Sequence, residues 1–286
     1  MSKPRLLLIH AFSLAEGAAY HVRPFSGEKE KVLMNYDKVA HLLDTVEWDL
    51  HPGAPSTHGN WPVETREEFM SVGFNRLKIV REACESGKYD AIALLGGGDP
   101  GFDEAREIGV KHGVAVTACA HAQMVAALSL GSKFSIIDIS ESHNMQMAAL
   151  VTRYGMASRC ASIRNIDYPL PRPPYTHPHT VSGEKDKWDK GEVSGMLEEA
   201  LAHAVEAIEE DGAEVLIIGC SGAYWLCEPL RDRLAGMGWK IPVLEGYRCA
   251  IQAARNMAEL KVTASALAFP SDNPIKIRRR KLVATD

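Results

Sequence analysis

No C-x-x-C pair occurs among the six cysteines (Cys84, Cys119, Cys160, Cys220, Cys227 and Cys249) of this 286-residue chain. That scatter disfavours a zinc site or a disulfide framework and fits reduced thiols. Long apolar runs are missing too. The N-terminal stretch offers four apolar residues, Leu6 to Ile9, before His10, too few for a signal peptide or a membrane span, so a cytoplasmic protein without a membrane partner is expected. Basic charge is not in excess: 32 Lys and Arg face 37 Asp and Glu, for a net charge of −5. A nucleic-acid partner is therefore not expected, and the short run KIRRRK at 276–281 reads as a solvated tail or a subunit contact. THPHT at 176–180 sets two histidines close together, but no carboxylate or cysteine cluster accompanies them, so no metal is expected.

What is present is an alternation. Aliphatic runs ending in small residues (RLLLIHAFS, AIALLGGG, VAVTACA, FSIIDIS, EVLIIGCSG, IPVLEGY) are separated by helix-length segments at 72–84, 122–128, 145–153, 195–210, 229–236 and 250–260. Continuous apolar strands alternating with helices predict an α/β fold of parallel sheets covered on both faces. A repeat underlies it: residues 90–96, DAIALLG, match 214–220, EVLIIGC, and the stretch from Val114 matches the stretch from Pro242. The alignment sets Gly96 on Cys220, Thr117 on Glu245 and Cys119 on Tyr247. Two pseudo-symmetric, flavodoxin-like domains are expected, residues 1–118 with 247–286 and residues 119–246. Their strand C-termini converge on a cleft, where open α/β sheets bind ligands. Residues 12–33 and 165–192 are polar, proline-bearing and aperiodic, and the second is expected to be a lid or subunit arm.

Three motifs invite a reading. Gly96, Gly98 and Gly101 satisfy G-x-G-x-x-G. A dinucleotide site would need an acidic residue at the next strand end, and that strand runs into TACAH instead. No Lys-Ser or Lys-Thr closes a phosphate loop. GCSGA at 219–223 resembles a nucleophile elbow, but the last histidine is His203 and none follows Ser221 as a serine hydrolase of that type requires. Cys220 itself follows a buried strand and precedes a turn into a helix, where backbone N–H groups should stabilise a thiolate and lower its pKa.

THGNWPVETREEF, GDPG at 98–101, RCASIR at 159–164 and IIGCSG, in this order, resemble the aspartate/glutamate/hydantoin racemase superfamily, and the hydantoin racemases most closely. The resemblance implies two pseudo-symmetric α/β domains, no cofactor and a small-molecule substrate held between them, commonly in a homo-oligomer. It also implies two cysteines that pass a proton at a carbon next to a carbonyl, one on each face. Cys220 takes the second-half position; the first-half position, two residues before GDPG, holds Gly96. Arylmalonate decarboxylases of the same superfamily look like this arrangement, with a lone second-half cysteine, while maleate isomerases use a cysteine as nucleophile. Cys119 and His121 are the candidates for a second proton shuttle, with His10 weaker. Enolate oxygens call for donors, expected from Gly96, Gly97 and Gly98, from Ser221 and Gly222, and from Ser13, Ser140 and Ser142 at strand ends. Asp99 is expected to cap the helix that follows it.

Overall fold

A computed structural model describes residues 3–20, 26–56, 59–174, 179–272 and 276–279. Four strands form the first sheet: β1 (Arg5–Ile9), β3 (Glu47–His51), β5 (Ala91–Leu94) and β6 (Ala115–Ala118), in the order β3-β1-β5-β6 and all parallel. Four more form the second: β7 (Phe134–Asp138), β8 (Cys160–Asn165), β9 (Val215–Ile218) and β10 (Val243–Leu244), in the order β10-β9-β7-β8 and again parallel. Each sheet reads second, first, third, fourth in chain order, so the repeat seen in the sequence is a repeat of topology. A two-stranded ribbon joins β2 (Phe12–Ser13) to β4 (Ala54–Pro55). β5, β6, β7 and β9 are buried along their whole length, as strands covered on both faces must be.

Helices α1 (Lys29–Val32), α2 (Tyr36–Leu43), α3 (Arg66–Glu85) and α4 (Phe102–His112) serve the first sheet, and α6 (Glu141–Arg153), α7 (Val181–Asp189), α8 (Gly195–Glu209) and α9 (Cys227–Gly236) the second. Two helices cross over between them. α5 (Cys119–Leu128) leaves the first sheet, yet Ala120, Met124 and Ala127 pack with Phe134, Ile136 and Ile217 of the second. α10 (Gly246–Leu260) leaves the second, yet Tyr247, Ala250 and Ile251 pack with Leu6, Leu8 and Ala93 of the first. Gly246 lets the two cross closely, since a Cβ there would lie 2.7 Å from Cys119 Cβ. The crossing clamps the sheets with their C-terminal edges toward one space.

Several helices begin earlier than periodicity predicts, because their caps are polar residues outside the apolar pattern. α5 starts at Cys119 because the Asp99 carboxylate accepts the Ala120 and His121 N–H groups at 2.8 Å each. Asp99 thus caps α5 and not α4, whose N-cap is Gly101 at φ 71°. Glu245 caps α10 in the same way, from Tyr247 and Arg248. The proline-bearing 165–192 segment is not aperiodic throughout: Thr180 accepts the Gly183 N–H and starts α7. Of THPHT, residues 176–178 lie outside the described residues, as do residues 280–281 of KIRRRK. No helix among the described residues is long and apolar enough to cross a membrane.

Candidate active site

The first and third strands of each sheet deliver four segments to one cavity of about 60 Å³. β1 ends in His10, Ala11 and Phe12; β5 ends in the Gly96-Gly97 turn; β9 ends in Cys220, Ser221 and Gly222; and beyond β7 the first turn of α6 supplies His143. Met34, Pro62, Val63, Phe69, Leu170 and Tyr247 complete the wall. That volume holds a few water molecules.

The two strand-end turns touch. A Cβ on Gly97 would fall 2.2 Å from the Gly219 carbonyl oxygen and 3.2 Å from Cys220 Cα, so only glycine fits. Gly96 has φ 123°, and a Cβ there would stand 2.9 Å from that of Ala11. The position where the resemblance leads one to look for a thiol is therefore shaped for a residue without a side chain. Gly98 lies outside the wall, under the Phe69 ring, and its carbonyl accepts a bond from Gln146 Nε2 at 2.9 Å.

Cys220 is 5 % exposed, and its sulfur accepts the Gly222 N–H at 3.4 Å. The expected lowering of its pKa does not occur: burial, then the Asp138 and Glu64 charges, outweigh the Gly222 and Ala223 N–H groups and push the thiol up. At neutral pH it is a proton donor. Ser221 Oγ, buried at the cavity wall, has no hydrogen-bond partner among the described residues, which leaves a hydroxyl for a ligand.

The remaining sequence candidates are placed elsewhere. Cys119 is wholly buried under the glycine turn, its Sγ 3.6 Å from the Leu94 carbonyl, with a pKa held far up by burial. His121 points away toward α4, against Phe102, Tyr154 and Arg106. Burial and the Arg106 charge lower its pKa to about 4. Neither lines the cavity, because both ride the first turn of α5 rather than the strand end. Ser13 bonds the Gly53 carbonyl at 3.4 Å, Ser142 is exposed, and Ser140 caps α6 while donating its hydroxyl to Glu64. His10 does reach the cavity, its Nδ1 3.2 Å from Tyr247 Oη.

The polar groups that sequence reasoning missed stand behind the wall. Asp138, fully buried at the end of β7, holds His143 Nδ1 at 2.8 and 2.9 Å through its two oxygens. Gly219 makes room for it, since a Cβ at 219 would meet Asp138 Oδ1 at 2.6 Å. Buried Glu64 joins Ser140, and burial raises its pKa against the opposing pull of Ser140, His143 and Arg172. The strand-end position of Asp138 and the place of Glu64 within THGNWPVETREEF were the available signals; the pairing with His143 had none beyond the spacing of five residues.

The Asp/Glu/Hydantoin racemase family model matches residues 63–254, more than half of the chain. A hydantoin racemase of Rhizobium meliloti is 29 % identical over 188 residues, covering 66 % of this chain and 67 % of that one. Among solved structures, allantoin racemase from Klebsiella pneumoniae superposes with a TM-score of 0.66 at 19 % identity, covering 99 % of this chain and 96 % of that one. A liganded mutant of arylmalonate decarboxylase superposes with a TM-score of 0.56 at 13 % identity, covering 89 % and 92 %. Both structural likenesses concern the fold. The chain belongs to the Asp/Glu/hydantoin racemase family and is an enzyme of the isomerase kind.

Proposed function

We propose that the protein is a cofactor-independent racemase-type isomerase acting at the acidic carbon α to a carbonyl of a small ureide or carboxylate, with Cys220 as acid/base. The observation that carries the reading is the Cys220 thiol, kept protonated at the β9 end, in a cavity whose walls are two abutting turns. Removing the α-proton leaves an enolate. Its oxygens find donors in the turn N–H groups at Gly97 and Ser221 and in the Ser221 hydroxyl; one preorganised donor of this kind contributes about 3–4 kcal/mol. The thiol then protonates carbon. The similar hydantoin racemase supports a ureide as substrate. Self-association into a homo-oligomer fits the two exposed apolar side chains Met70 and Phe74, one turn apart on α3.

One observation favours a second reading. Gly96 leaves the first-half loop without a proton carrier, and a single-thiol decarboxylase needs none: a substituted malonate loses CO₂ and Cys220 protonates the enediolate on one face. A cysteine-dependent cis-trans isomerase or lyase would likewise use one thiol. Incubating each enantiomer of a 5-substituted hydantoin, and separately an arylmalonate, distinguishes these. The first reading predicts loss of optical activity from both hydantoin enantiomers and no CO₂; CO₂ release with both hydantoins untouched would reverse the choice.

A further inference from the structure

Inversion at carbon takes a proton from one face and returns one to the other, so a single thiol is half of the apparatus. Gly96 supplies no second group, Cys119 and His121 lie outside the cavity, and His10, which lines it, has its Nδ1 on the Tyr247 hydroxyl rather than on a carboxylate. We propose that His143, oriented by Asp138, is the second proton carrier of the cavity and a catalytic residue of the racemisation. This rests on the reading that the cavity works on an acidic α-carbon.

His143 lines the same cavity as Cys220 and is 2 % exposed. Its Nδ1 lies against both Asp138 oxygens, at 2.8 and 2.9 Å. Bonding there selects the tautomer with hydrogen on Nδ1 and leaves the Nε2 lone pair free. Among the described residues Nε2 has no hydrogen-bond partner. The ring stands beside the glycine loop: Phe69 packs against it edge-on, with centroids 5.7 Å apart, and also covers Gly98. Three residues along α6, Gln146 bonds the Gly98 carbonyl. The imidazole thus flanks the loop on which the missing thiol would have stood. A nucleophilic cysteine and its base would share a hydrogen bond, and none joins His143 to Cys220, as groups working on separate faces require.

The proton count closes. Nε2 takes the α-proton as the C–H bond breaks, Cys220 gives its thiol proton to the opposite face, and the pair is left as imidazolium and thiolate. From that state the reverse sequence converts the other enantiomer, or one proton passing between the two through solvent restores the start. Burial lowers the imidazole pKa, but the Asp138 charge and hydrogen bond and the Glu64 charge outweigh it and raise the value overall, so the imidazolium is sustained. Asp138 acts through His143 and is a positioning residue.

The test follows α-hydrogen exchange in D₂O by NMR, starting from each pure enantiomer of a 5-substituted hydantoin. In the wild-type protein, first-turnover product of opposite hand should carry deuterium while remaining substrate keeps protium. Product that retains the substrate's protium would show one carrier and overturn the inference without any variant. His143→Asn keeps a donor toward Asp138 and removes Nε2. It should lower racemisation at least about a hundredfold yet still exchange one enantiomer, whereas Cys220→Ser should exchange only the other. Asp138→Asn should lower kcat about tenfold with KM little changed. Racemisation by His143→Asn within about threefold of wild type, or loss of the same enantiomer's exchange in His143→Asn and Cys220→Ser, would overturn it. A wild-type protein that exchanges neither enantiomer removes the parent reading, and the inference falls with it.

Discussion

Arg76 is fully buried on α3 and donates to the carbonyls of Ile9, Leu95 and Pro100, at 2.9, 2.5 and 3.1 Å. One guanidinium therefore gathers the ends of β1 and β5 and the GDPG turn. Burial lowers its pKa to about 10, against the pull of the Asp99 charge, so it stays charged at neutral pH. Arg76→Leu should cost at least about 3 kcal/mol in unfolding free energy, because three carbonyls lose a charged donor they cannot replace from water; urea denaturation checks it. A cost under about 1 kcal/mol would mean that the carbonyls are otherwise served. Gly96 tells the opposite story, of a residue chosen for what it lacks. Gly96→Cys places a side chain at φ 123° and against Ala11, so it should destabilise by about 1–2 kcal/mol. Ala11→Gly in the same chain should recover part of that, read as a rise in Tm over the single variant.

The 165–192 segment illustrates what an element adds to its residues. Leu170 lines the cavity and, two residues on, Arg172 reaches across to Glu68 on α3, at 2.6 and 2.7 Å to its two oxygens. Glu68 is already the N3 residue of the Thr65 capping box and accepts from Trp61. Burial pushes its carboxyl up, but the Arg172 bond, the Thr65 and Glu64 N–H groups and Trp61 outweigh burial and hold the pKa at about 2. The depressed value means the clasp contributes fully above the ordinary glutamate range and is lost as pH falls from about 4.5 toward about 2. Its share is no more than about 3 kcal/mol. Arg172→Gln should flatten the acid limb of stability across that window and, by loosening the wall over the cavity, raise KM more than it changes kcat. An unchanged acid limb and KM would show that the clasp holds nothing. The sequence marked this segment as a lid or arm from its prolines alone; α7 and the clasp were illegible because Thr180 is a lone cap and Arg172 finds a partner 104 residues away.

At the scale of the whole molecule, the parallel sheets and their shared topology were legible because buried parallel strands must be aliphatic and the two halves repeat the same order. Cys220 and the Gly96-Gly97 turn were legible because strand ends carry the small residues that let two turns abut. His143, Asp138, Glu64 and Arg76 were not, since each owes its place to contacts across the fold: Ser140 meets Glu64 from 76 positions away and Arg76 meets Ile9 from 67. Periodicity reports which face is buried, and says nothing of which polar side chains meet behind it. What the assembled molecule provides is a small cavity at the sheets' facing edges with one protonated thiol in it. The most direct measurement of that claim is α-deuterium uptake into a 5-substituted hydantoin in D₂O, wild type against Cys220→Ala, with Tm recorded for both. The account predicts uptake by the wild type, a loss of at least about a hundredfold in racemisation by the variant, and an unchanged melting transition. Racemisation by Cys220→Ala within about threefold of wild type would contradict it.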